Sequence, residues 1–169
     1  MITQYQIDTT VACEGLKEFG YFVLSYGEGR ELPDYKKMDL MKIPHLVPHI
    51  WVYDLRSEEG REKLLINFAG GHHDTIHREN IIGKFDVDVF NGETNSDLLG
   101  AYKSSIENKT TAYTTRYEKY SMGNDRQRFR SVETLMFPCS TDEEYVNWAI
   151  GCAYYGTEPR PGKNIFLQF

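Results

Sequence analysis

A chain of 169 residues with 40% hydrophobic and 26% charged residues is sized and composed for one globular domain, and its net charge of −6 argues against nucleic-acid binding, which needs clustered Lys and Arg. Three cysteines, Cys13, Cys139 and Cys152, exclude a disulfide framework or a zinc ribbon and fit a reducing compartment. No run is long enough to span a bilayer, and the first residues lack the basic head of a secretory signal, so a cytoplasmic protein with no membrane partner is expected.

Residues 8–26 predict a first helix, capped by Asp8 or Thr9 and closed by Gly27 and Gly29. Ala12, Leu16, Phe19, Val23 and Tyr26 fall on one stripe, which packs on the domain itself in the first reading and forms a short homodimer seam in the second. Pro33, Pro44 and Pro48 then forbid a long helix and leave short turns. Residues 49–55 and 63–69 predict two strands joined by a hairpin turn over 57–60.

Gly70 and Gly71 open a segment of short helical turns, followed by a second helix from Thr94 or Asn95 to Glu107, with Leu98, Leu99, Tyr102 and Ile106 as its stripe. Residues 112–121, 128–137 and 146–155 predict three more strands, the first two joined at Gly123–Asn124. The last residues, with two prolines and a glycine before IFLQF, predict a tail. Two strands from one end and three from the other form one antiparallel sheet of five, and the helices between them must lie across one face.

Arg30–Glu31–Leu32–Pro33, the run from Asp39–Leu40 through Ile43–Pro44–His45–Leu46 to Val47–Pro48–His49–Ile50–Trp51–Val52–Tyr53–Asp54, and the spaced Gly70 and Gly83 resemble the proteobacterial PAS_5 family over roughly residues 22–155. His72, His73 and His77 depart from that pattern, where small and apolar residues are more usual. The resemblance implies an α+β, PAS-like domain over residues 30–157. An N-terminal helix over 1–29 would offer a dimerisation element, and 158–169 would be a C-terminal tail. It also implies a sensor or ligand-binding module whose ligand and cofactor it does not name.

The chemistry-bearing residues are few. His73 and His77 stand four apart and share a helical face, so they offer two imidazoles to a transition metal; a haem ligand and a plain polar turn are the other readings. Asp in place of Glu and the shortness of the segment count against a zinc-protease site. Cys139, beside Pro138, is a candidate reactive thiol, and no nucleophile elbow or phosphate loop is present. The basic stretch of Arg116, Lys119, Arg126, Arg128 and Arg130 reads as a solvated hairpin face.

With 12 Tyr and 9 Phe the chain has rings enough to wall a pocket or simply to fill a core. Trp51 or Tyr53, Phe68, Phe85, Tyr102, Tyr113, Tyr117 and Trp148 are the candidate walls, with Asn67, His73, His77, Thr115 and Arg116 as polar groups. The expected function is a non-enzymatic sensor that binds a small molecule between sheet and helices and signals by contact with a second copy or a separate protein. The rivals are a metal- or haem-binding protein or metal-dependent enzyme using His73 and His77, and an assembly module without a ligand.

Overall fold

The computed structural model describes residues 1–89, 93–122, 126–142, 144–158 and 160–169. Its sheet has six strands: β1 (Ile50–Asp54), β2 (Leu65–Ala69), β3 (Ala112–Met122), β4 (Arg126–Cys139), β5 (Trp148–Glu158) and β6 (Ile165–Gln168). They run β2-β1-β5-β4-β3-β6, with every neighbouring pair antiparallel. The first strand therefore lies beside the fifth at the centre, with Ile50 opposite Cys152 and Asp54 opposite Trp148. This is the expected arrangement, with one strand more: the segment expected as a tail pairs with β3, Leu167 opposite Tyr113. Asn164 fixes its entry by accepting from the Tyr117 amide at 3.0 Å.

The N-terminal segment is two helices rather than the single one its stripe predicts. Helix α1 (Gln4–Thr10) opens on a capping box: Thr3 Oγ1 accepts from the Gln6 amide, and Gln6 Oε1 accepts from the Thr3 amide at 2.8 Å. Helix α2 (Glu14–Leu24) starts where the Glu133 carboxylate, arriving from β4, accepts from the amides of Ala12 and Cys13 at 3.1 and 3.0 Å. Free amides at a helix start seek such an acceptor. A strand residue distant in sequence thus breaks the helix at 11–13.

Helix α3 (Glu58–Lys63) replaces the expected hairpin turn. Ser57 Oγ accepts from the Gly60 amide at 2.9 Å, Glu58 and Glu59 occupy the first turn, and Arg61 and Lys63 the last. Charges so placed complement the helix dipole and stabilise a short helix across the central glycine. The proline-rich connection makes three 3₁₀ turns, Tyr35–Lys37, Leu40–Lys42 and Val47–His49, the first two capped by Asp34 and Asp39.

Helices α4 (Gly71–His77), α5 (Asp86–Val89) and α6 (Glu93–Asn108) form the layer between β2 and β3. Helix α6 begins slightly earlier than its expected cap, and the hairpin turn at Gly123–Asn124 lies outside the described residues. Both faces of the sheet are covered. On one, α1 and α2 bury Ile7, Leu16, Phe19 and Val23 against Leu135, Phe137 and Ile150. On the other, Ile81, Leu98, Tyr102 and Ile106 pack on Trp51, Tyr53, Val132 and Ala149. Leu16, Phe19 and Val23 of the stripe offered as a dimer seam are thus the inner face of α2, the apolar cover this side of the sheet requires, while Ala12 lies before the helix and is exposed. A central β2-β1-β5-β4-β3 antiparallel sheet with its helical crossover laid on one face is a PAS-like fold.

Candidate functional site

Side chains alternate across a strand, so the two faces collect different residues. Trp51 and Tyr53 from β1, Arg116 from β3, Thr134 from β4, and Ala153 and Tyr155 from β5 all point to the α4–α6 layer. With His73 from α4 and Leu98 and Tyr102 from α6 they line a partly open cavity of about 30 Å³. At roughly 10–15 Å³ of such volume per water, that is room for about two waters.

The walls are mostly rings. Trp51 lies 6.0 Å from Tyr102 and 6.4 Å from Tyr53 between centroids, and His73 meets the Trp51 face edge-on at 5.8 Å. Trp51 can lie there because its cross-strand partner is Gly151: a Cβ at that position would stand 2.2 Å from the indole Cζ2. Gly151→Ala is expected to push the indole off the strand and destabilise the fold by about 1–3 kcal/mol, the usual effect of overpacking. Thermal unfolding reads this; a wild-type midpoint would mean the ring yields without strain.

Polar groups are threaded through these rings. The Tyr102 hydroxyl donates to Thr134 Oγ1 at 3.0 Å, and Thr134 shares a 2.7 Å bond with Thr114. Tyr53 donates to Asp86 Oδ2, and Asp86 is fully buried. Burial pushes the Asp86 carboxyl up to about 7, against the pull of the Tyr53 bond and the positive charge of Arg116 and Lys103. Arg116 is itself buried and paired with Glu118 at 2.9 Å. It therefore belongs to the interior and not to the solvated basic face in which the sequence placed it. The phenols of Tyr53, Tyr102 and Tyr155 are all raised by burial and stay neutral.

His73 is held at both nitrogens. Its Nε2 lies 3.0 Å from the His49 carbonyl, which can only accept, so Nε2 carries the proton. Burial lowers its pKa to about 4, so the ring is neutral and Nδ1 accepts from the Tyr155 hydroxyl at 3.4 Å. Both ring nitrogens are already engaged, so His73 as placed leaves no lone pair open to a metal or a haem iron. Among the described residues no three His, Cys, Asp or Glu side chains converge as a metal-ligand set. Cys139 is likewise no reactive thiol: it is fully buried, donates to the Phe137 carbonyl, and burial pushes its pKa up.

The remaining predicted residues lie elsewhere. Asn67 is exposed on β2, and Phe68 packs against the opposite core, under the N-terminal helices. Tyr113 and Thr115 share that opposite face, where Tyr113 donates to Glu133 at 2.9 Å. Tyr117 is half-buried against Gly162. Trp148 is sandwiched between Tyr35 and the Arg56 guanidinium, 4.6 Å from its ring. Phe85 lies under Lys63 Nζ. His77 is half-buried, its pKa lowered by burial and shaped by Glu118 and Arg130.

Of the predicted group, the cavity holds Trp51, Tyr53, His73, Tyr102 and Arg116. Sequence reading missed Thr134, Ala153 and Tyr155 of its lining, and Asp86, which bonds the lining residue Tyr53. An aspartate inside the apolar run 85–90 was the one available signal for Asp86.

No protein-family model matches the chain, and no curated protein does. Solved structures do. The LOV domain from the Erythrobacter litoralis EL346 blue-light activated histidine kinase has a TM-score of 0.47 at 13% identity, covering 63% of this chain and 94% of that one. A Rhodobacter sphaeroides LOV protein has a TM-score of 0.48 at 11% identity, covering 72% of this chain and 68% of that one. At scores below 0.5 the fold assignment rests on the strand order and helical cover themselves. No helix among the described residues is long and apolar enough to cross a membrane.

Proposed function

We propose that the chain is a non-enzymatic PAS-like sensor, of the PAS_5 type, that takes a small molecule between its sheet and the α4–α6 layer. The observation that carries this reading is the cavity itself: a partly open space at the sheet–helix junction, lined by Trp51, Tyr53, Tyr102 and Tyr155 together with Arg116 and His73. Aromatic walls with a few fixed polar groups are the composition of a binding site.

The cavity is small, so a ligand larger than a few atoms must favour a packing in which α4–α6 stand further from the sheet. A molecule that binds one packing better shifts the layer toward it. The output is then a contact, with a second copy or a separate protein. Because Leu16, Phe19 and Val23 are enclosed, any surface the N-terminal helices present lies on their outer side.

Native mass spectrometry of freshly purified protein tests this, with Ala153→Val as the comparison. Ala153 lines the cavity, and two added methyl groups fill much of it. The wild type should retain a small-molecule mass that the variant loses while staying folded. Identical spectra showing bare protein in both would remove the reading.

A further inference from the structure

A sheet ends in two strands whose outer backbone groups need covering, here β2 and β6. The chain closes the β2 edge itself. The Ile66 amide donates to the Lys84 carbonyl at 2.9 Å, and the Gly83 amide to the Ile66 carbonyl at 2.8 Å. The β6 edge stays open. Thr111 and Phe169 exchange both backbone bonds, at 2.9 and 3.0 Å. Antiparallel alternation then turns the backbone groups of Ile165 and Leu167 toward β3 as well, and aims the amides and carbonyls of Phe166 and Gln168 outward. Among the described residues no hydrogen bond takes up those outward groups.

The edge is held ready for a partner. Gln168 Nε2 donates to the Ala101 carbonyl of α6 at 3.3 Å, and Phe166 packs into the core on the α6 side. Ile165 and Leu167 lie on the other face, beside Tyr113, and both are exposed. Residues 164–169 hold no charge and no proline, the usual guards of a free edge.

We propose that β6 pairs with β6 of a second copy, antiparallel about a two-fold axis at Leu167. Phe166 of each copy then faces Gln168 of the other, so every outward amide meets an outward carbonyl. On the exposed face Leu167 meets its own mate, and Ile165 meets the other copy's Phe169, an aromatic pair of the kind that stabilises sheets. This self-match is what selects a second copy as occupant. Apolar side chains cover one another, and no like charges meet on the axis although the chain carries a net −6. A strand this short makes a small interface, so the pairing is weak and concentration-dependent. It gives the sensor reading a contact between copies but does not rest on the cavity, and bare protein in the mass spectra would leave it standing.

Sedimentation of the full chain over a dilution series, with amide exchange at both ends of it, tests the pairing. The mass should double on concentration. The Phe166 and Gln168 amides should exchange roughly tenfold more slowly where about nine-tenths of the copies are paired, while the Phe169 amide, bonded to Thr111, keeps its rate. Leu167→Lys and Leu167→Asp should each stay at the single-copy mass, since like charges then face each other, and the two variants mixed should regain the doubled mass. A wild type that keeps the single-copy mass and freely exchanging Phe166 and Gln168 amides at every concentration overturns the proposal. So does a doubled mass that Leu167→Lys leaves intact, or a pair of single-copy variants that do not recover on mixing. Where a substitution releases β6, seen as lost protection of the Phe169 amide, the wild-type exchange comparison decides.

Discussion

Asp86→Asn should leave the protein more stable than the wild type at pH 8, by about 1–3 kcal/mol. The Asp86 carboxyl titrates near 7 in the fold and at 3.8 in its unperturbed form. Below pH 4 it is protonated in both states and carries no penalty. As pH rises from 4 to 7 the unfolded chain ionises it and the folded chain resists, so this group's contribution to stability falls and then stays low. The full difference is on the order of 4 kcal/mol at 1.36 kcal/mol per pKa unit. Asparagine still accepts from Tyr53 and cannot ionise, but it buries an amide without a second partner, which takes back about 1–3 kcal/mol.

His73 works in the opposite sense. Its pKa is about 4 folded against 6.5 unperturbed, so the unfolded chain takes up the proton first as pH falls. Its contribution is full above pH 6.5 and is lost as pH drops toward 4. Between pH 4 and 6.5 the two slopes oppose each other, and the wild type should vary little with pH for these groups. Asp86→Asn should then expose a stability that climbs with pH across that window. His73→Gln should expose one that declines from pH 4 to 7. Urea unfolding at pH 4.5, 6 and 8 reads all three proteins, and an Asp86→Asn protein weaker than wild type at pH 8 would refute the assignment of Asp86 as a buried, strained acid.

The strands were legible because each is a run of β-branched and aromatic residues bounded by glycine, proline or charge, and the meeting of β1 with β5 followed from their number and position. Which side chains share a face was not. Trp148 and Trp51 sit in adjacent strands, yet the register sets Trp148 opposite Asp54 and Trp51 opposite Gly151, so they point to opposite cores. A register irregularity between Val52 and Tyr53 on the β2 side further hides the alternation.

Strand β6 was hidden by the prolines and glycine before it, and what fixes its place is distant in sequence: the backbone of β3 and the Tyr117 amide that Asn164 accepts from. The break between α1 and α2 depends on Glu133, some 120 residues away. Local pattern cannot report a contact made at that separation. The cavity was half legible for the same reason: the rings of β1 and α6 announce themselves, while Thr134, Ala153 and Tyr155 matter only through what faces them.

Phe19→Ala carries the other large expected effect. Phe19 is fully buried on the inner side of α2 and meets Phe137 of β4 edge to face, with centroids 6.0 Å apart. Removing a ring from such a site loses its burial and leaves a cavity, together about 3–5 kcal/mol, a large part of the stability of a domain this size. The drop should appear in urea unfolding as a lower midpoint with little change of slope, since the same surface is exposed on unfolding. The Trp51 indole resonance of the folded fraction should stay where it is, because the sheet separates the two cores. If α2 instead served as a seam between copies, Phe19→Ala would change the mass seen by light scattering and leave the unfolding midpoint of the separated chains near wild type. A midpoint that falls while the mass of the folded protein stays constant places the helix inside the domain, and leaves the outer side of α1 and α2 as the surface on which a signal could be read.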